Sequence, residues 1–471
     1  MNTDLVSKYE PTTFWEQFKT PDSIVFEEIQ IYIEELCKQI KGDTFEISII
    51  TEEGYIDRNF LFDYILYYAK CYDDIPRQVT RFHFFSCSKA RIISIFEKLE
   101  KNYSQDLVFA LNKEYLGYII KKPIDSGRIG KSILRKYPEI DANGNFRVLS
   151  VKNLNRINIF GIPLKLESLP YQEQDDTVSK CATTSLWISL KALEHKFHLT
   201  KSYAPAEITN EIFKDSSMKD GRKFPNQGLN LFQILNFFHQ VGYDVVTFSQ
   251  LTDSKLNESE EDFIHHLIKG YLKYSIPIIA ILELKKTEDQ TVADKHTVVI
   301  TGYKEDKKTK KLIELYAHDD QVGPYSKIEI NDNITDWKDN RINKLGYFKV
   351  TLNDLIIPLY PNIRLHYWKI YDTMQDLIND PEFIINKDFF YYTTELTDSN
   401  KYKNFLIKKI LPRVKEKLKI EIEDYIFSPN SRYLWLISIK YKKNSDNFAD
   451  YIFDATKNDV LNYKVLTFFE S

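Results

Sequence analysis

Residues 171–187 read YQEQDDTVSKCATTSLW. An acid-rich polar run ends at a cysteine, and from there the chain turns apolar at helical spacing. Leu186, Leu190 and Leu193 follow at intervals of four and three, the signature of a helix face entering a core. Cys181 therefore heads a helix. A free cysteine in a packed chain is most often a small buried hydrophobe. A thiol at a helix N-terminus, however, feels the positive end of the helix dipole, which favours thiolate and lowers its pKa. A nucleophile at this place needs a base, and the base needs a third polar group to orient it.

The sequence downstream offers both. HTVVITGY (296–303) is an apolar strand led by His296, and KLIELYAHDD (311–320) is a second strand that ends in Asp319 and Asp320 before the Gly323-Pro324 turn. Antiparallel pairing of the two brings a carboxylate alongside the imidazole, with Asp319 the first choice and Asp320 its rival. Seven residues before the cysteine, Gln174 supplies an amide donor for an oxyanion, complemented by the Cys181 backbone N–H; Gln172 competes with it at a spacing of nine.

Between cysteine and histidine, NQGLNLFQILNFFHQVGYDVV predicts a second amphipathic helix and a strand, after a turn at Pro225–Gly228. NESEEDFIHHLIKGYLKY predicts a third helix, and SIPIIAILEL a buried strand. In this order the pieces resemble the papain-like cysteine peptidases, most closely the branch of the bacteriocin-leader-processing peptidases. The resemblance covers about residues 170 to 330. It implies an α+β papain-like domain, with the nucleophile helix packed on an antiparallel sheet. It also implies roles: Cys181 as nucleophile, His296 as general base and acid, Asp319 as orienting carboxylate and Gln174 as oxyanion donor. Ala182 stands where many relatives carry glycine or tryptophan. Asp320 stands where proline is frequent, which keeps it open as the third member.

The remainder of the chain is long. With 471 residues it exceeds the size over which one core keeps growing. Three α+β segments are expected: 1–158 and 359–471, of unassigned role, on either side of the peptidase-like 159–358. In the first, 23–40 mixes helical and alternating spacing, FEISIIT (45–51) alternates as a strand, SKARIISIFEKLEKN is helical, LVFALN with YLGYIIKKPI predicts two strands around a turn, and DANG (141–144) is a turn. In the last, FLIKKILPRVKEKL predicts a helix, and YLWLISIKY and DYIFDAT strands.

Several other motifs carry less. DSGRIGKS (125–132) ends like a phosphate-binding loop, but Asp125 replaces the first glycine and would repel phosphate, so a turn into a short helix is expected. His195 and His198, spaced as surface neighbours, and the adjacent His265 and His266 complete no tetrahedral metal set. His318 lies beside Asp319, and neighbours on a strand face opposite ways. Lys408, Lys409, Arg413, Lys415, Lys417 and Lys419 form a basic stripe that reads as a solvated helix face.

Composition sets the outer limits. The 43% hydrophobic and 28% charged residues suit packed cores rather than a disordered chain. A net charge of −4, from 64 basic and 68 acidic side chains, gives no global footprint for nucleic acid or an anionic membrane. No run approaches a membrane span, and the N-terminus lacks the pattern of a secretory signal. The four cysteines are scattered too widely for a disulfide framework. The expectation is a cytoplasmic thiol hydrolase that cleaves a peptide or isopeptide bond through a Cys181 thioester, without cofactor or metal. Its partners are a protein or peptide substrate and, through the flanking segments, a protein partner; no nucleic acid and no membrane is expected. The same residues also suit acyl transfer or deamidation, and a papain-fold binding protein that has lost turnover is the non-enzymatic alternative.

Overall fold

A computed structural model describes residues 3–18, 24–175, 177–214, 228–249, 251, 258–288, 294–330, 333–338, 344–379, 389–460 and 462–468. The chain is mixed α+β with several antiparallel sheets. It forms two compact units, Met1–Val241 with Thr247–Asp253 and Pro277–Ile356, and Gly242–Val246 with Ser254–Ile276 and Ile357–Ser471. These units interleave the three expected segments. Residues 1–158 join the Cys181 and His296 regions in one unit, and the helix Glu258–Lys273 belongs to the other.

The first unit contains two principal sheets. One runs in the order Val6–Lys8, Ser48–Tyr55, Val79–Phe85, Tyr115–Lys121 and Ile133–Leu134. The other carries Gly323–Glu329, Leu312–Asp319, Asp294–Glu305, Ile278–Lys285 and Lys349–Leu359 as successive antiparallel neighbours. Phe146–Val148 pairs with the end of Asp294–Glu305 that is remote from His296. Side chains alternate across a strand, so the first sheet is covered on both faces. Phe85 and Ile120 enter one core with Ile92, Ile95 and Leu111. Phe82 and Phe84 enter another with Ile29, Ile33 and Leu36, and that core also takes Tyr316 and Tyr325 from the second sheet. This shared core is why residues 1–158 do not stand apart.

Ion pairs reinforce the same junction. Lys327 on the second sheet bonds Glu35 of the helix Ile24–Lys41 at 2.5 Å, and the Tyr137 hydroxyl donates to the same carboxylate at 2.7 Å. Arg147 donates to the Tyr316 hydroxyl at 2.8 Å.

Three local expectations are corrected. LVFALN is helical, within Gln105–Glu114, because Val108, Leu111 and Glu114 bury one face at helical intervals of three. DSGRIGKS forms no helix; it is held by bridges from Lys121 to Ile129 and from Ser132 to Tyr171. The long basic helix is broken into Ser399–Phe405, a widened turn at Leu406–Ile410 and Glu416–Phe427, since Pro412 cannot donate to a preceding carbonyl. Of the Pro225–Gly228 turn, residues 225–227 lie outside the described residues.

The second unit is built on an antiparallel sheet in the order Phe390–Asp398, Tyr433–Tyr441, Asn447–Asp454 and Tyr463–Thr467. Tyr433, Trp435, Tyr451 and Phe453 of this sheet are core, whereas Tyr463 on its last strand is exposed. Trp435 is fully buried, meets Tyr271 edge-on at 5.1 Å and donates its indole N–H to the Leu365 carbonyl at 2.9 Å. No helix among the described residues is long and apolar enough to cross a membrane.

Candidate functional site

Cys181 begins the helix Cys181–Phe197, as the sequence predicts. The helix is buried on all sides from Ala182 to Leu193 rather than along one face. Leu186, Leu190 and Leu193 are at most 1% exposed, and full burial of each contributes roughly 1.5–3 kcal/mol. Two of its buried hydroxyls are partnered, as burial ordinarily demands, whereas Ser189 Oγ and the Trp187 indole N–H find no hydrogen-bond partner among the described residues. Thr184 Oγ1 meets Ser179 Oγ at 2.6 Å, and Ser185 Oγ donates to the Thr297 carbonyl at 2.9 Å. Positions four apart share a helix face, so the Ser185 bond also turns Cys181 toward the strand Asp294–Glu305 that His296 occupies.

The loop before the cysteine is organised by Asp175. Its Oδ1 accepts from the backbone N–H groups of Thr177, Val178 and Ser179 at 3.0, 2.6 and 3.0 Å, and its Oδ2 takes Lys122 Nζ at 3.3 Å. Both members of this ion pair are buried. The segment 125–132 closes over the loop: Ile129 N–H donates to Glu173 Oε2 at 3.0 Å, and Gly127 adopts φ +60° with a Cβ site 2.2 Å from the Gln174 carbonyl oxygen. Only glycine fits that approach.

His296 Nε2 lies 3.0 Å from Asp319 Oδ1 and 3.5 Å from Asp320 Oδ1. All three side chains are buried. Asp319 Oδ1 also accepts the Gln321 N–H at 3.0 Å. The three residues place ligand-type atoms within 4.8 Å of one another, a grouping that strand register creates and sequence spacing hides. Asp320 lacks the aligned hydrogen bonds that Asp319 makes. Burial holds its pKa well above the ordinary range, its own backbone N–H and Lys180 pull the other way, and Glu173 adds to the rise.

Gln174 is half-buried, and its backbone N–H donates to the Asp320 carbonyl at 3.4 Å, which joins the loop before the cysteine to the strand end after Asp319. Gln172 is buried and spends its amide on Ser179 Oγ at 3.2 Å. His318 faces away from this group, with Nε2 donating to the Leu169 carbonyl at 3.1 Å and Nδ1 accepting the Tyr325 N–H at 3.1 Å. Its environment is that of a satisfied core histidine.

The thiol departs from expectation. Burial, followed by the Asp320 charge, pushes Cys181 up to about 11, while hydrogen bonding to Thr297 and the Ala182 N–H pulls in the opposite direction. Desolvation outweighs the helix N-terminus. Sequence reasoning missed the roles of Asp175, Lys122 and Thr297. The Asp-x-Thr-Val-Ser run before the helix was the available signal for Asp175, since aspartate commonly accepts from amides two to four residues ahead.

No protein-family model matches this chain, and no curated protein matches it significantly.

Proposed function

We propose that this protein is a papain-like thiol hydrolase that cleaves a peptide or isopeptide bond through an acyl thioester on Cys181. The observation that carries the reading is the buried 3.0 Å contact of His296 Nε2 with Asp319, on strands packed against the helix that Cys181 heads. An imidazole whose Nε2 is committed to a carboxylate exchanges protons through Nδ1. In this reading Nδ1 takes the Cys181 proton, the thiolate attacks the substrate carbonyl, and the oxyanion is met by the Cys181 backbone N–H and the Gln174 amide. The imidazolium then protonates the leaving amine, and water resolves the thioester through the same base.

A thiol pushed up to about 11 favours proton transfer during attack over a resting thiolate. Capture of the thioester by an amine instead of water gives the transferase variant of the same chemistry. The test is a peptidyl electrophile carrying a reporter, with the modified residue located by peptide mass. Labelling confined to Cys181 and lost in His296→Ala supports a hydrolytic site. Labelling spread over Cys71 and Cys181 and indifferent to His296 sinks it.

A further inference from the structure

Asp320 is 2% exposed, and neither of its carboxyl oxygens takes a geometrically aligned hydrogen bond from another described residue, although its own backbone N–H and the Lys180 charge act on it. His296 Nε2, at 3.5 Å, makes an ionic approach without hydrogen-bond alignment. Buried carboxylates are ordinarily paired, hydrogen-bonded or bound to a metal. Here the unsatisfied group points into a cluster that already contains His296 and a second carboxylate, Asp319, with one ligand atom from each residue inside 4.8 Å.

The geometry points to a divalent first-row cation, of which zinc is the type, bound by His296 Nε2 and the carboxylates of Asp319 and Asp320. Zinc bonds of roughly 2.0–2.2 Å to nitrogen and oxygen set tetrahedral ligand atoms roughly 3.3 Å apart. The two separations from His296 Nε2, 3.0 and 3.5 Å, bracket that value. One imidazole with two carboxylates suits zinc better than calcium, which takes six or more oxygens, or magnesium, which keeps most of its waters. Three protein ligands leave a fourth position open. Cys181 is half-buried and its thiol senses the Asp320 charge, which puts the thiol near the cluster.

Occupancy has a consequence that rests on the hydrolase reading. A cation on Nε2 holds the imidazole neutral with its proton on Nδ1, the nitrogen that would take the thiol proton. Zinc and thiol catalysis then exclude each other at this site.

The deciding experiment titrates the full-length, chelator-stripped chain with zinc alone against a chromophoric chelator, beside Asp320→Asn and His296→Gln. Stoichiometric binding that weakens at least about tenfold in each variant is expected. Equal binding by all three chains, or a chain indifferent to zinc, overturns the site. Should either variant fail to fold, crystals of the unaltered chain soaked in zinc give the same answer: an anomalous peak among the three side chains supports the site, and its absence there refutes it. Binding is read without substrate, so the two proposals fail separately. Zinc bound by a chain that never acylates Cys181 removes the hydrolase alone, and hydrolysis by a chain without zinc affinity removes the metal alone.

Discussion

His296 and Asp319 meet at 3.0 Å through Nε2 and Oδ1, whereas Asp320 approaches the same nitrogen at 3.5 Å without hydrogen-bond alignment. The two neighbouring carboxylates are thus unequal, and the rivalry left open by the Asp-Asp sequence has a geometric answer to be tested. On the proposed hydrolase reading, Asp319 is the carboxylate that orients the ring. Asp319→Asn is expected to slow Cys181 acylation by a peptidyl electrophile by about 10²-fold or more, the scale of a lost base function, and Asp320→Asn by far less. Second-order labelling rates in the presence of a chelator check this. A larger loss in Asp320→Asn would exchange the two roles.

The thiol itself gives a pH prediction. Burial and the Asp320 charge push Cys181 up to about 11, so without a base its anion is scarce at neutral pH. In His296→Ala, alkylation is expected to stay slow near pH 7 and to climb through about 11. If His296 is the base, as proposed, it takes the proton as the bond to sulfur forms, and labelling of the unaltered chain is expected to stay fast at pH values where the variant is slow. Stopped-flow alkylation across pH separates the two profiles. Superimposable curves would mean that His296 does not act on this thiol.

The periodic elements were legible from sequence where one pattern ruled. Leu186, Leu190 and Leu193 disclosed the cysteine helix, and the apolar run after His296 disclosed its strand. LVFALN misled because a short apolar run has no clear period, and only the buried face of Val108 and Leu111 decides for helix. The identities of Cys181, His296 and Asp319 could be nominated from order alone. Their surroundings could not, because burial of Asp320, the register that brings it to His296, and the Lys122 partner of Asp175 all come from distant segments. For the same reason the helix N-terminus predicted a lowered thiol pKa, and the three-dimensional surroundings reversed it.

Asp175 holds the loop that delivers Cys181 to its helix. Removing its carboxylate frees three amide donors and strands the buried Lys122 ammonium. Breaking a buried ion pair from one side costs about 3–5 kcal/mol, and Asp175→Ala is expected to destabilise the chain on that scale. Asp175→Asn keeps an acceptor for the three N–H groups and is expected to lose less. Denaturant melts of both variants give the order, and an Asp175→Ala change under about 1 kcal/mol would refute the role.

Asp63 supplies a pH dependence of stability of its own. It is 3% exposed, and its Oδ1 accepts the Ala206 N–H at 2.9 Å near the start of the helix Pro205–Ile212. Burial raises its pKa from 3.8 to about 8, and the Asp175 and Asp57 charges add to the rise against the Ala206 bond and Lys122. The folded chain therefore retains a proton that the unfolded chain has lost throughout the interval from about 4 to about 8. Below that interval both states are protonated and the effect vanishes. Within it, each unit of rising pH removes roughly 1.4 kcal/mol of stability through this one group, and above it the loss is complete. Asp63→Asn keeps the acceptor for Ala206 and has no proton to release. Its stability curve is expected to fall less steeply between pH 5 and pH 8 than that of the unaltered chain. Parallel curves over that range would show that Asp63 ionises freely in the folded protein.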